Sequence, residues 1–437
     1  MNSDFIKKTF NDSLDNSYIS NDLYEKYNVK KGLRNANGTG VLVLLTKISD
    51  VYGYKIVDGK KVDDEGHLFY RGYDIYDLFN NLKGRYGFEK VCYLLLFSKL
   101  PTENELVLFH DYLSSNYSLP TGFAEDVLLK NTSFSLMNQI QKAILNLYSF
   151  DNDPDDFSVL GTLYKGLNII AKMPSIISYS YRAKRHYIDG LSLHIRNPKL
   201  DYSIAENLLR MSRTNGEFKP LEVETLDLAL ILHADHGGGN NSTFANMVVS
   251  STSTDIYSSM CASLGSLKGP RHGGANLMVS KMMKSTIKEI GLNASDEEMA
   301  IIANKILDKA FFDNNGLIYG IGHPVYTKSD PRANLLRDKC RELAELEGEV
   351  DKFDFYARFE KVAIRELKKR KGEGFNCCAN IDFYSGLTYE ILKINEDLYT
   401  AIFACSRMVG WLAHNIENKL YCDKIIRPAG KYVGELK

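Results

Sequence analysis

The stretch from Leu398 to Ala413 is apolar on nearly all sides and carries small residues at Ala401, Ala404, Gly410 and Ala413. A helix that is apolar all round has to be enclosed by other elements, and small residues let those elements come close. The chain therefore reads as a central buried helix inside a shell of others. Arg407 stands in the middle of this stretch, where an unpaired guanidinium would cost several kcal/mol, so an anionic partner is expected. Spacing alone leaves that partner open. It is either an internal Asp or Glu, or the carboxylate of a small-molecule ligand, which the planar fork of arginine matches.

The rest of the chain supplies the shell. Capping boxes stand at Ser203 with Glu206 and at Ser295 with Glu298, the second followed by Met299, Ile302, Ile306 and Leu307 at helical spacing. Pro101-Thr102-Glu103 and Asp330-Pro331-Arg332 open further helices, the latter with Leu336, Cys340 and Leu343 on one face. From about Tyr76 onward helix follows helix, and a mostly α architecture is expected. Residues up to about Leu33 are polar and irregular and read as an arm. Gly40–Leu45 and Val51–Val57, either side of Ser49-Asp50, read as a short β-hairpin.

Composition narrows the function classes. The 437 residues are 44% hydrophobic and 25% charged with a net formal charge of −1, which offers no field for a polyanion, so nucleic acid is not an expected partner. The basic run Lys368-Lys369-Arg370-Lys371 closes a helical pattern before Gly372, where positive charge suits the helix dipole; a phosphate contact is the other reading. Seven cysteines show no CxxC pair and no zinc spacing, as expected of reduced cytoplasmic thiols. The N-terminus has no apolar leader and is too acidic for a transit peptide, and no apolar run approaches the ~20 residues of a membrane span.

Three histidines mark breaks between helices. His272 lies in Lys268-Gly269-Pro270-Arg271-His272-Gly273-Gly274 at the start of a helix, where exposed N–H groups and the dipole keep an imidazole neutral and suited to donate toward developing negative charge. His236 precedes Gly237-Gly238-Gly239, and His323 follows Gly320-Ile321-Gly322; glycines there let backbone approach a ligand. His233-Ala234-Asp235-His236 admits a metal-hydrolase reading, but further ligands at helical positions do not stand out, and no metal is expected. His236 can equally be a structural helix-capping residue. Asp382, in Asn380-Ile381-Asp382-Phe383-Tyr384-Ser385-Gly386, sits among apolar neighbours that would raise its pKa and make it a better base; alternatively it is a plain N-cap for a helix from Gly386 to Lys393.

Taken together and in this order, His-Ala-Asp-His-Gly-Gly-Gly-Asn, Lys-Gly-Pro-Arg-His-Gly-Gly-Ala-Asn, Gly-Ile-Gly-His-Pro-Val-Tyr with Asp330-Pro331-Arg332, and Asn-Ile-Asp-Phe-Tyr-Ser-Gly closely resemble the citrate synthase family. The resemblance runs from Tyr70-Arg71-Gly72-Tyr73-Asp74-Ile75 to Ile425-Ile426-Arg427-Pro428. It implies a Claisen-type condensation of acetyl-CoA with oxaloacetate followed by hydrolysis of the citryl thioester, with no cofactor. Asp382 would take the methyl proton, His272 would hydrogen-bond the thioester oxygen, and His323 would polarise the ketone. His236, Arg332, Arg407 and Arg427 would hold oxaloacetate. Gly320, Ile321 and Gly322 would face the adenine of CoA, with Lys328 and Lys368 near a phosphate.

The resemblance further implies a homodimer in which Arg427 crosses between subunits. It also implies a large helical domain (34–275 and 383–437), an inserted small one (276–382) and the arm (1–33). Pro324, Ala379 and Ala429-Gly430 depart from the common bacterial pattern near the CoA half of the pocket and after Arg427. The alternatives are a 2-methylcitrate synthase using propionyl-CoA, a non-catalytic CoA- or dicarboxylate-binding scaffold, and the metal hydrolase.

Overall fold

The computed structural model describes residues 3–14, 18–58, 60–82, 84–372, 374–422 and 424–434. They fall into two compact units, Met1–Leu45 with Arg427–Lys437, and Thr46–Ile426. In the first unit the expected irregular arm carries two helices, α1 (Ser3–Ser13) and α2 (Asp22–Lys26). Phe5, Ile6 and Phe10 recur at helical spacing in α1, and Asp22 and Glu25 suit the positive start of α2. The Lys431 ammonium stands 5.4 Å from the Tyr27 ring.

The second unit opens with β1 (Ser49–Val57) antiparallel to β2 (Lys60–Tyr70), which pairs in turn with β3 (Tyr73–Asp74). The hairpin thus lies further along the chain than its expected place: Ser49-Asp50 begins a strand instead of turning. Asp58-Gly59 is the stronger turn signal, and Asp58 takes a φ of 50° there. Burial decides the rest, since Leu68 and Tyr70 face the core while Leu42 and Leu45 are 87% and 94% exposed.

Helices follow: α3 (Ile75–Asn81), α4 (Gly87–Phe97), α5 (Glu103–Ser115), α6 (Leu136–Leu147), α7 (Val159–Tyr187), α8 (Ile204–Ser212) and α9 (Pro220–His233). Then come α10 (Asn241–Ser250), α11 (Ile256–Leu267), α12 (Ala275–Ile290), α13 (Asp296–Leu307), α14 (Pro331–Glu347), α15 (Val350–Lys371), α16 (Ile381–Ile391) and α17 (Tyr399–Tyr421). The fold is mainly helical with one small sheet. The capping boxes act as read: the Ser203 and Ser295 hydroxyls accept from the N–H of Glu206 and Glu298, and Asp330 caps α14. Thr102 forms a third box with Glu105.

The central helix is α17. Its residues from Tyr399 to Asn415 are almost all buried, enclosed by α4, α7, α9 and α10. Each fully buried large side chain contributes about 1.5–3 kcal/mol to holding it there. Gly410 shows why the small residues matter: a Cβ at that position would run into the Ala234 carbonyl and the Asp235 carboxylate. Close approach lets Ser406 and Arg407 bond the last carbonyls of α9, those of Leu230 and His233. Among the described residues no helix is long and apolar enough to cross a membrane.

Candidate active site

Two loops meet edge to edge at the site. Ile321 and Ala379 form an antiparallel bridge, flanked by Gly322 N–H to the Cys378 carbonyl (2.8 Å) and Asn380 N–H to the Gly320 carbonyl (2.8 Å). Gly320 has a φ of 81°, and a Cβ there would strike Val279 and Phe383, so only glycine lets the loop seat between α12 and α16. The pairing fixes His323 relative to Asp382. It also takes up the Gly320 carbonyl and the Gly322 N–H, backbone groups that the family resemblance pointed toward CoA; the Gly322 carbonyl accepts from the Asn380 side chain as well.

The His323 imidazole is held in one tautomer. Its Nδ1 accepts from the backbone N–H of Val325 (3.0 Å) and Tyr326 (3.1 Å), so the neutral ring carries its proton on Nε2. Burial, then the Arg332 charge, lowers its pKa to about 4 and keeps it neutral. The segment after it is clasped by the hairpin. Thr327 Oγ1 donates to the Gly53 carbonyl (2.9 Å), Tyr326 OH to the His67 carbonyl (3.3 Å), and Gly66 N–H to Ser329 Oγ (3.1 Å). A Cβ at Gly66 would overlap the Ser329 carbonyl.

Asp382 lies in the first turn of α16 and is not its cap. That role falls to Asn380, whose side chain accepts from the Asp382 N–H (3.0 Å), and the helix begins at Ile381 instead of Gly386. Asp382 Oδ1 is buried without a hydrogen-bond partner among the described residues. Burial raises the carboxyl pKa to about 6, against the opposing pull of Arg332 and Arg407. His272 lies in the turn between α11 and α12, with Nε2 3.1 Å from Ser242 Oγ, and burial followed by the Arg407 charge lowers its pKa to about 4.

His236 follows the end of α9 and meets His323 edge to face, ring centroids 5.3 Å apart, with Tyr326 5.5 Å away. It is partly buried, and its buried Nε2 has no hydrogen-bond partner among the described residues. Burial first, then the charges of Arg332, His323, Arg407 and His272, push its pKa far down, so these groups share one electrostatic neighbourhood.

The two buried arginines differ. Arg332 forms a fork with Asp330, Nε to Oδ1 at 3.0 Å and Nη2 to Oδ2 at 2.8 Å. Asp330 Oδ2 also accepts the Ile381 N–H (3.2 Å), which ties the start of α14 to that of α16. Arg407 forms no ion pair among the described residues. Its Nε donates to the His233 carbonyl (2.6 Å), its guanidinium lies 4.8 Å from the Phe403 ring, and Nη1 is buried without a partner. Burial lowers its pKa to about 10, partly offset by Asp235.

Not every expected residue joins this cluster. Lys328 and Lys368 are exposed and make no ion pair among the described residues. Arg427 belongs to the other compact unit, where it is exposed. Asp235, weighed as a metal ligand beside His233 and His236, is instead bonded by His414 Nε2 (3.0 Å) and the Ser49 hydroxyl. Burial alone would raise its pKa, but His414, Arg407 and Ser49 outweigh that and hold it low. His233 Nδ1 sits 2.7 Å from the Ala229 carbonyl.

Sequence reading missed several supports. Ser242 is shared by His272 and by Trp411, whose Nε1–H donates to it at 3.1 Å. Tyr326 packs between His236, His323 and Arg332. His414, seven residues after Arg407 and so on the same helix face, was findable by periodicity; Ser49 left no signal.

Comparison with known proteins gives the chain a family. The family profile described as "Citrate synthase, C-terminal domain" matches residues 35–429. A citrate synthase of Haloferax volcanii is 36% identical over 93% of this chain and 96% of its own length. Citrate synthase 2 of Bacillus subtilis is 36% identical over 85% and 91%. The Thermoplasma acidophilum citrate synthase, solved as a ternary complex with carboxymethyl coenzyme A and oxaloacetate, superposes with a TM-score of 0.76 at 25% identity over 94% of this chain and 97% of that one. The chain is an enzyme of the acyltransferase type. It belongs to the citrate synthase family.

Proposed function

We propose that the protein condenses acetyl-CoA with oxaloacetate and hydrolyses the citryl thioester to citrate and CoA. The observation that carries this reading is the pairing of the Ile321 and Ala379 loops, which fixes the neutral His323 relative to Asp382, a carboxyl raised to about 6 that shares the Arg407 charge with the neutral His272. A thioester methyl is a very weak acid, so a base has to act together with a donor that stabilises the enolate oxygen. Asp382 is the base. His272 is the donor: its Nε2 is engaged at Ser242, whose one hydroxyl proton is shared between that nitrogen and Asn240 Oδ1, and donation to Nε2 leaves the ring proton on Nδ1 for the thioester oxygen. His323, protonated on Nε2, polarises the ketone and delivers a proton to the new alkoxide.

Oxaloacetate brings two carboxylates. Arg407 Nη1 and His236 Nε2, both buried and without partners, are suited to receive them together with Arg332. Arg427 of the partner subunit completes this binding in a homodimer. Residues 276–382 form a small domain that closes over 34–275 and 383–437, excluding water until the carbon–carbon bond has formed. The backbone of Gly320, Ile321 and Gly322, with Lys328 and Lys368, contributes to CoA binding. A cytoplasmic setting is supported by seven cysteines that are all free, six of them buried.

Thiol release from acetyl-CoA and from propionyl-CoA, each with oxaloacetate, tests the reading. The acetyl substrate is expected to turn over faster; one methylene is worth only about 1–3 kcal/mol, so the reverse order would make the protein a 2-methylcitrate synthase. Asp382→Ala is expected to abolish release, and turnover undiminished in that variant would remove Asp382 from its role.

A further inference from the structure

Behind Asp382 the interface of α12 and α16 is polar where a helix contact is ordinarily dry. The helices touch at Gly386, where a Cβ would stand 2.8 Å from the Asn276 carbonyl. Along the contact, Asp382, Ser385 and Tyr389 follow one another on α16 at helical spacing, facing Asn276 and Ser280 on α12. Ser280, Ser385, Tyr389 and Asn276 are fully buried. Among the described residues Asp382 Oδ1, Ser385 Oγ, Tyr389 OH and Asn276 Nδ2 lack a hydrogen-bond partner, and Ser280 Oγ has only the Tyr399 hydroxyl beside it.

A single orphaned polar atom in a core is uncommon, and each costs about 1–3 kcal/mol. Four in one contact are a polar lining of the kind that ordered water satisfies. The seam also leads somewhere. Tyr389 packs 5.2 Å from Tyr399, which lies beside Ser280 and lines a cavity of about 460 Å³ together with Lys284 and Glu390. Glu390 Oε2, 3.6 Å from Lys284 Nζ, is itself buried without a hydrogen bond. Polar groups thus run from the base at one end of the contact to an open cavity at the other.

The proposed reaction needs such a route. Condensation takes one proton from the methyl group and gives one to the new hydroxyl, which leaves the charge unchanged. Hydrolysis then gives the oxygen of one water to the acyl carbon and one of its hydrogens to the CoA sulfur. The second hydrogen becomes a free proton, because the new carboxyl is ionised at neutral pH. Every turnover therefore consumes one water and releases one proton inside a closed site.

We propose that the methyl proton held by Asp382 after condensation leaves, before hydrolysis, along water held by Ser385, Ser280 and Tyr389, reaching solvent at Glu390 and Tyr399, and that the proton hydrolysis then frees replaces the one His323 gave to the hydroxyl. The inference rests on the citrate synthase reading of the site. Ser280, Ser385 and Tyr389 are relay residues that touch no substrate. Removing their hydroxyls slows the resetting of Asp382 while leaving both substrate pockets intact.

The experiment compares wild type with Tyr389→Phe, Ser280→Ala and the double variant, after thermal melts show that each folds. The expected result is a loss of about five- to tenfold in kcat for the double variant, with both KM values within about twofold of wild type. Citryl-CoA should build up on the variants in rapid-quench samples, and the solvent deuterium isotope effect on kcat should rise. Wild-type kcat in the double variant would overturn the relay. So would a fall in kcat with raised KM and no citryl-CoA, which marks a merely structural role. Failure of the underlying reading looks different: wild type would then release no thiol from acetyl-CoA or propionyl-CoA with oxaloacetate, before any variant is made.

Discussion

Two buried carboxyl sites in this protein carry raised pKa values, and only one has the makings of a catalyst. Glu89 is fully buried and Asp227 half-buried beside it; burial first, with repulsion by Asp227 added for Glu89, lifts them to about 8 and about 7. Asp382 is lifted to about 6 by burial. Each of Glu89 and Asp382 has one orphaned oxygen, so neither a raised pKa nor an unpaired atom separates the sites. Surroundings do. Glu89 accepts the Ile204 N–H (2.7 Å) at the start of α8, and Asp227 accepts the Phe88 N–H (3.1 Å) at the start of α4, whose own Tyr86 provides no side-chain cap. They are helix caps supplied from another element. Asp382 is spared that duty by Asn380 and lies within electrostatic reach of two guanidinium groups.

The largest effect that would break this contrast is on turnover. Asp382→Asn is expected to lower kcat about 10²- to 10⁴-fold, whereas Glu89→Gln should stay within a few-fold of wild type. Steady-state thiol release measures both, and comparable losses would mean that the cap pair also serves the chemistry.

Stability sharpens the contrast with opposite signs. An Asp382 carboxylate ionised at pH 7 against a folded-state pKa of about 6 opposes folding, so Asp382→Asn should gain on the order of 2 kcal/mol. Glu89→Ala strands the Ile204 N–H and opens a cavity, and should lose about 2–4 kcal/mol. Urea unfolding midpoints report both.

The last contrast is the pH dependence. Raised folded-state pKa values mean that the fold binds these protons more tightly than the unfolded chain. The stability contributed by Glu89 and Asp227 is therefore full below about pH 4 and is lost as pH rises through 7 and 8. Activity runs the other way, with kcat/KM climbing as Asp382 ionises through about pH 6. Thermal melts from pH 5 to 9 should fall with pH and flatten in Glu89→Gln, while the activity limb stays where it is.

Much of this could be read before any fold was seen, because the signals were local. Ser203 with Glu206 and Ser295 with Glu298 announce helix starts through atoms three residues apart, and the encircling apolar face of α17 forces it inside. The hairpin was misplaced because its register depends on the turn that Asp58 enters and on which strand face meets the core. Asp382 as base or cap could not be decided either, since either role fits a carboxyl near a helix start. That the duty fell to Asn380 is a property of the folded loop. The supports of the imidazoles, Ser242 and Tyr326, are contacts between distant segments and leave no spacing to find.

The seat of Tyr326 through Ser329 on the hairpin has a mechanical consequence. With no side chain at Gly53 or Gly66, that stretch lies directly on strand backbone, so the imidazole at position 323 inherits the stiffness of a sheet although a loop carries it. A methyl group at residue 66, far in sequence from any reacting atom, would act as a shim that tilts the ring out of alignment.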